Sequence, residues 1–125
     1  MNEEGAPTIL IVEDDRAVRE MLDAVLTAEG LDVKTARDGL EGLLKLRVHS
    51  IAVLVLDIMM PDVGGLRMLD ELAEEHSDVP VIVVTGKPEA AEAARERLGH
   101  DMVFDKPFDI DELVALIRRI IDGRS

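Results

Sequence analysis

The stretch VLVLDIMMPD, residues 53–62, joins a run of four apolar residues to one carboxylate and then a proline. Val53 to Leu56 contains no polar position, which is typical of a strand buried on both faces of a parallel sheet. Asp57 follows directly, and Pro61 cannot continue a central strand because it has no N–H to donate. The stretch therefore predicts a strand in the middle of a sheet that carries a carboxylate at its end.

The rest of the chain alternates short β-branched runs with longer segments of helical spacing. The predicted strands are residues 8–12, 32–36, 51–56, 79–85 and 102–104. The predicted helices run from Ala17 to a stop at Gly30, through the leucines Leu40, Leu43, Leu44 and Leu46, over 66–75, over 88–98 and from Asp109 to Ile121. Such alternation requires crossover connections, so it predicts a doubly wound α/β domain with a five-stranded parallel sheet and five helices on both faces.

The last two predicted helices differ in their apolar content. The helix after Pro88 has mostly alanine on its inner side, so it should bury little area and be the most loosely held. The final helix has Asp109 and Glu112 in capping-box spacing. Its apolar positions predict burial of Ile110, Leu113, Val114, Ile117 and Ile121.

Length and composition restrict the classes of function. We expect a single domain over residues 1–125, with its core at about 8–122. Cysteine is absent, which excludes disulfides and zinc–thiolate sites. A net charge of −13 argues against direct nucleic-acid binding, and no apolar run is long enough for a membrane span. Together with a start that lacks a basic signal region, this predicts a cytoplasmic protein.

Polar residues follow the strands that we expect at the centre of the sheet. They are Glu13-Asp14-Asp15 after the first strand, Asp57 after the third, Thr85 at the end of the fourth and Asp105-Lys106-Pro107 after the fifth. If these strands are neighbours, their carboxyl ends gather several carboxylates, a hydroxyl and an ammonium in one crevice. Carboxylates this close repel each other unless a cation joins them, and Mg²⁺ prefers such oxygen ligands.

Four motifs at these strand ends, ILIVEDD, LDIMMP, VVTG and DKPF, together resemble the receiver domains of two-component response regulators. The resemblance implies a flavodoxin-like fold with strand order 2-1-3-4-5. It implies that Asp57 accepts a phosphoryl group and that Thr85 and Lys106 contact that group. It also implies a cis Lys106–Pro107 bond.

The same resemblance implies a Mg²⁺ site. Its ligands would be the carboxylates of Glu13, Asp14 and Asp57 and the backbone carbonyl of Met59. Asp15 directly precedes a helix, so its interpretations as a helix N-cap and as a further ligand are equally open.

As a function, the resemblance implies a phospho-accepting switch. A sensor histidine kinase or a phosphotransfer protein would supply the phosphoryl group, and the surface of residues 86–122 would change to signal to a downstream protein. The protein would act as a monomer or a phosphorylation-dependent dimer. We expect it to catalyse its own phosphorylation without being a turnover enzyme. Self-dephosphorylation should be slow, because the Met59 side chain cannot orient an attacking water and Lys87 can shield the phosphoryl group.

One departure from the family pattern concerns signalling. The family usually has an aromatic residue three positions before the lysine, where this chain has Val103, and Phe104 lies one place off. The usual rotamer switch is therefore not expected. We hypothesise instead that the weakly packed helix over 88–98 reports phosphorylation.

Three other functions compete with this interpretation. A pseudo-receiver would bind partners without phosphate, but this chain has every charged residue that phosphate chemistry needs. A Mg²⁺ phosphohydrolase would have a second acid two residues after Asp57, where this chain has Met59. A flavin carrier would need aromatic residues, and the chain has only Phe104 and Phe108.

Overall fold

The predicted parallel sheet is present in the computed structural model, which describes residues 6–57, 65–75 and 78–123. Its strands are β1 (Thr8–Val12), β2 (Asp32–Ala36), β3 (Val53–Asp57), β4 (Val81–Thr85) and β5 (Val103–Asp105). The described helices are α1 (Arg16–Ala28), α2 (Gly39–Val48), α3 (Gly65–Glu74), α4 (Pro88–Leu98) and α5 (Ile110–Asp122). All neighbouring strands are parallel, and their order 2-1-3-4-5 confirms the prediction.

The bounds of three strands differ from the sequence prediction. The ladder of β3 begins at Val53 and includes Asp57, whose backbone is in register with Val84. The ladder of β4 begins at Val81 because Pro80 has no N–H, although the Pro80 carbonyl still accepts a bond from the Leu54 N–H. The predicted 102–104 strand is shifted by one residue, since Met102 ends a 3₁₀ turn.

The core consists of two apolar clusters, one on each face of the sheet. On one face α2, α3 and α4 cover one set of alternating strand side chains, and on the other face α1 and α5 cover the second set. All five residues of β1, β3 and β4 are buried, as expected for strands covered on both sides. The sheet therefore holds the carboxyl ends of β1, β3 and β4 in fixed relative positions.

The leucine spacing predicted α2 correctly but not which side of it packs on the sheet. Leu40 and Leu44 are 59% and 54% exposed, and Leu43 is buried. Gly42 faces β1 so closely that an added Cβ would lie 2.8 Å from Val12 Cγ2. Because of this close approach, the side of α2 that carries Gly42 and Leu43 faces the core, and the side that carries Leu40 and Leu44 faces solvent.

The two last helices pack as differently as their sequences predict. The buried residues of α4 are Ala90, Ala91 and Ala94, and those of α5 are Leu113, Leu116 and Ile117. Leu116 was not among the predicted core residues, and Ile110, Val114 and Ile121 are only partly buried. None of the helices in the described ranges is long and apolar enough to cross a membrane.

Candidate functional site

The acidic residues after β1 and β3 lie side by side. The register pairs Val12 with Leu56, so the next residues, Glu13 and Asp57, come together at the same edge of the sheet. Glu13 is 2% exposed and Asp57 4%, which places both carboxylates at the floor of the site. Asp14 is exposed above them. Each of the three offers a carboxylate oxygen, and these oxygens lie within 4.8 Å of one another.

Lys106 connects the two buried carboxylates. Its Nζ lies 3.1 Å from Asp57 Oδ2 and 3.3 Å from Glu13 Oε1. Its backbone N–H donates to the Thr85 carbonyl at 2.8 Å, which extends the β4–β5 pairing to the lysine. The Lys106–Pro107 peptide bond is cis, as predicted. The site thus contains an ammonium group in contact with two of the acids.

Thr85 ends β4 with its side chain fully buried beside this cluster of strand ends. Its Oγ1 accepts a hydrogen bond from the Lys87 backbone N–H at 3.2 Å. Because the hydroxyl accepts this bond, its own O–H can serve as a donor to an anionic oxygen.

Burial and neighbouring charges shift the pKa values of two groups in the site. Burial, followed by the hydrogen bond and charge of Asp57, raises the pKa of Glu13 to about 8. Burial lowers the pKa of Lys106, but the charges of Asp57 and Glu13 outweigh it, so that the net shift is upward. Lys106 therefore remains an ammonium at neutral pH, whereas Glu13 takes up a proton unless a cation stabilises its charged form.

The β1–α1 loop is ordered by hydrogen bonds, of which the Asp15 cap was one of the two interpretations that the sequence left open. The Asp15 N–H donates to Glu13 Oε2 at 3.2 Å. The Asp15 side chain accepts the Val18 N–H at 3.2 Å and is the N-cap of α1, which favours its interpretation as a cap. Arg19 Nη1 donates to the backbone carbonyls of Glu13 and Asp14 at 2.9 and 3.4 Å.

The donor set fits a hard divalent cation. Three carboxylate oxygens lie close enough together to face one ion, and Mg²⁺ prefers oxygen ligands. Asp14 is exposed, which leaves room for the waters and phosphate oxygens that Mg²⁺ usually keeps beside one or two directly bound carboxylates. Met59, whose carbonyl was predicted as a further ligand, lies outside the described residues. The residues that would hold Mg²⁺ are therefore Glu13, Asp14 and Asp57.

Comparison with known proteins places this geometry in a family. The family model described as "Response regulator receiver domain" matches residues 9–118. The chain belongs to this family. The receiver domain is also 39% identical over 114 residues to the response regulator MprA of Mycobacterium avium. The aligned residues make up 90% of this chain and 50% of MprA. MprA of Mycobacterium ulcerans gives the same identity, so the receiver domain spans about half the length of these curated relatives.

Solved structures agree with the receiver fold. The receiver domain of the Francisella response regulator 1452 is 28% identical, with a TM-score of 0.85 over 95% of this chain and 99% of that one. The response regulator TrrA of Thermotoga maritima, solved in complex with Mg²⁺ and beryllium fluoride, is 28% identical. Its TM-score is 0.80 over 91% of this receiver domain and 98% of TrrA.

The structure brings together most of the residues that the motifs singled out. Glu13, Asp14, Asp57 and Lys106 form one cluster, and Thr85 ends the strand next to β3 and accepts the backbone bond of Lys106. The sequence did not point to Arg19 as a part of this site. The only signal for it was a basic residue one turn into the helix that follows an acidic loop.

Proposed function

We propose that this receiver domain accepts a phosphoryl group on Asp57 from a phosphohistidine of a sensor histidine kinase or a phosphotransfer protein, with Mg²⁺ as cofactor. The observation that carries the proposal is the convergence of three carboxylates and the Lys106 ammonium at the ends of β1, β3 and β5. A carboxylate fixed at the end of a buried strand is a nucleophile held in a defined position and orientation.

In the proposed reaction an oxygen of the Asp57 carboxylate attacks the phosphorus atom. The bond between phosphorus and the donor nitrogen breaks, and its electron pair remains on the imidazole of the donor histidine. The product is an aspartyl phosphate. Transfer of this kind depends mainly on in-line positioning and on neutralising the equatorial oxygens of the phosphoryl group.

Different residues around Asp57 would bind the phosphoryl oxygens and Mg²⁺. Lys106, 3.1 Å from Asp57 Oδ2, supplies a point charge to the phosphoryl oxygens. Thr85 donates its hydroxyl to another of these oxygens. Glu13 and Asp14 bring the negative charge that binds Mg²⁺, which when bound neutralises charge on the transferring group.

The relatives support the proposal at the level of the site. TrrA, which shares this fold, was solved with Mg²⁺ and beryllium fluoride. The NtrC4 receiver domain, 30% identical to this one with a TM-score of 0.81, was solved as a beryllofluoride-activated dimer. We extend Mg²⁺-dependent phosphoryl acceptance to this chain. We also propose that it acts in the cytoplasm and signals by protein contact through residues 86–122, as a monomer or as a phosphorylation-dependent dimer.

The proposal is tested with acetyl phosphate as the donor. Intact-protein mass spectrometry should find one added phosphoryl group in the presence of Mg²⁺ and none in EDTA. Asp57→Asn should abolish the adduct, whereas Asp15→Asn, which changes an exposed helix cap beside the site, should retain it. Slow loss of the adduct is expected, because the Met59 side chain cannot orient an attacking water and Lys87 can shield the phosphoryl group.

Absence of an adduct in the wild type under all these conditions would contradict the proposal. The chain would then be a phosphate-independent interaction module. A persistent adduct in Asp57→Asn would contradict the assignment of the acceptor residue.

A further inference from the structure

Arg19 contacts the backbone of both acids that precede α1. Its Nη1 donates to the Glu13 carbonyl at 2.9 Å and reaches the Asp14 carbonyl at 3.4 Å. Arg19 is fixed at its own backbone as well, because its N–H donates to the Asp15 carbonyl at 2.9 Å in the first turn of α1. We infer that Arg19 is a positioning residue that sets the loop geometry in which Glu13 and Asp14 bind Mg²⁺.

The contact completes the support of Glu13. The Glu13 N–H donates to the Ala36 carbonyl of β2 at 3.0 Å, and the Asp15 N–H donates to the Glu13 carboxylate. Arg19 adds the bond to the Glu13 carbonyl, so the backbone and the side chain of this acid are both held. A guanidinium is suited to this task because its donors lie in a rigid plane and its charge strengthens the bonds.

Charge and geometry give Arg19 opposite effects on cation binding. A positive charge near three carboxylates weakens the attraction of a divalent cation by Coulomb repulsion. Ordering of the loop that carries two of the ligands strengthens binding, as partners that orient metal ligands generally do. The inference is that ordering dominates, so removal of Arg19 should weaken Mg²⁺ binding although it makes the site more negative.

Arg16 provides a matched control. It lies on the same helix, its guanidinium pairs with Glu20 at 2.9 Å, and its side chain is 80% exposed. Arg16→Gln and Arg19→Gln remove the same charge near the same loop, but only the second removes the bonds to the Glu13 and Asp14 carbonyls. A difference between the two variants therefore reports positioning and not charge.

The experiment is a calorimetric titration of the full chain with Mg²⁺. We expect the Kd of Arg19→Gln to rise about tenfold, and that of Arg16→Gln to stay equal or fall. Arg19→Lys keeps the charge but loses the planar fork, so its Kd should lie between those of Arg19→Gln and the wild type. It also serves as the informative variant if Arg19→Gln does not fold.

A second measurement separates positioning from a general structural role. The rate of phosphorylation by acetyl phosphate is measured against Mg²⁺ concentration. In Arg19→Gln the half-saturating concentration should rise, while the rate at saturating Mg²⁺ should approach that of the wild type. A lower maximal rate with an unchanged half-saturating concentration would overturn the inference.

The inference rests on the proposed function, and the two fail differently. If the wild type binds no Mg²⁺ and takes no phosphoryl group, the proposed function is wrong. If the wild type does both and Arg19→Gln binds Mg²⁺ as tightly as Arg16→Gln, only the role of Arg19 is wrong.

Discussion

Helices α4 and α5 follow consecutive strands of the same sheet, yet the chain holds them by different means. The inner side of α5 buries Leu113, Leu116 and Ile117, each of which contributes roughly 1.5–3 kcal/mol by removal of apolar area from water. The fully buried residues of α4 are all alanines, whose single methyl groups contribute far less, and Leu98 at its end packs against the core only partly buried. We infer from this difference that α5 is the more firmly held helix and that α4 shifts at smaller cost.

The polar contacts of α4 and α5 also differ. The Asp109 side chain caps α5 by accepting the Asp111 N–H, whereas α4 begins after Lys87 without a side-chain cap. Arg95 and Arg97 instead join α4 to Asp105 and Asp70. Asp105 directly precedes Lys106, and Thr85 leads into α4 through two residues, so α4 is connected to the site through charged and loop residues. We therefore expect changes in the charge of the site to affect α4 more than α5.

The largest expected effect comes from the apolar core under α5. Ile117→Ala should lower the free energy of unfolding by about 3 kcal/mol, because it leaves a cavity at a residue with no exposed surface. The corresponding change in α4, Ala91→Gly, should cost only about 1 kcal/mol, mainly through helix propensity. Urea unfolding measures both. Equal losses would contradict the claim that α4 is held less strongly.

The pH dependence sharpens the contrast between the apolar core and the charged site. The pKa of Glu13 is about 8 in the folded protein and about 4.5 in the unfolded chain. Between these values the folded state binds a proton that the unfolded state has lost, so the free energy of unfolding of the metal-free protein should fall as pH rises from 4.5 to 8.

Glu13→Gln should remove this fall and stabilise the metal-free protein by about 1–2 kcal/mol at pH 8. Urea unfolding in EDTA at several pH values measures it. Glu20→Gln, an exposed change on α1, should retain the wild-type slope. If Glu13→Gln also keeps that slope, the raised pKa is not the cause.

The smallest expected effect on stability comes from the ion pair that joins α4 to β5. Arg95 Nη2 lies 2.5 Å from Asp105 Oδ2, and Arg95→Gln should cost about 0.5 kcal/mol. Hydrogen exchange should nevertheless become faster in α4, because the buried side chains of this helix are only alanines. Arg118→Gln is the matched control in α5, since it removes a contact with Glu29, the C-cap residue of α1, while the apolar side of α5 remains in place. Exchange that increases equally in both helices would contradict the comparison.

Much of the fold could be predicted because parallel strands are nearly continuous apolar runs. The bounds of β1 and β2 agree with the prediction, and Gly30 stops α1 with a positive φ of 86°. The orientation of α2 could not be predicted, because the close approach of Gly42 to Val12 depends on the packing of elements far apart in sequence. The starts of β3, β4 and β5 were misplaced by one or two residues, for local reasons at β4 and β5: Pro80 has no N–H to donate, and a 3₁₀ turn ends at Met102.

The candidate site was predictable because the carboxyl ends of parallel strands meet at one edge of the sheet. The sequence could not show that Lys106 contacts Glu13 as well as Asp57, nor that Arg19 reaches back to two carbonyls. Long side chains with several rotatable bonds can reach many partners, and only the three-dimensional structure shows which partner each one contacts. The role of Met59 stays a prediction, since it falls outside the described residues.

One measurement joins the site to the comparison of the helices. Hydrogen exchange is followed by mass spectrometry with and without beryllium fluoride and Mg²⁺, in the wild type and in Asp57→Asn. The account predicts that exchange in residues 86–105 changes in the wild type alone, and that it changes more than exchange in α5. Unchanged exchange over 86–105, or an equal change in α5 or in Asp57→Asn, would contradict it.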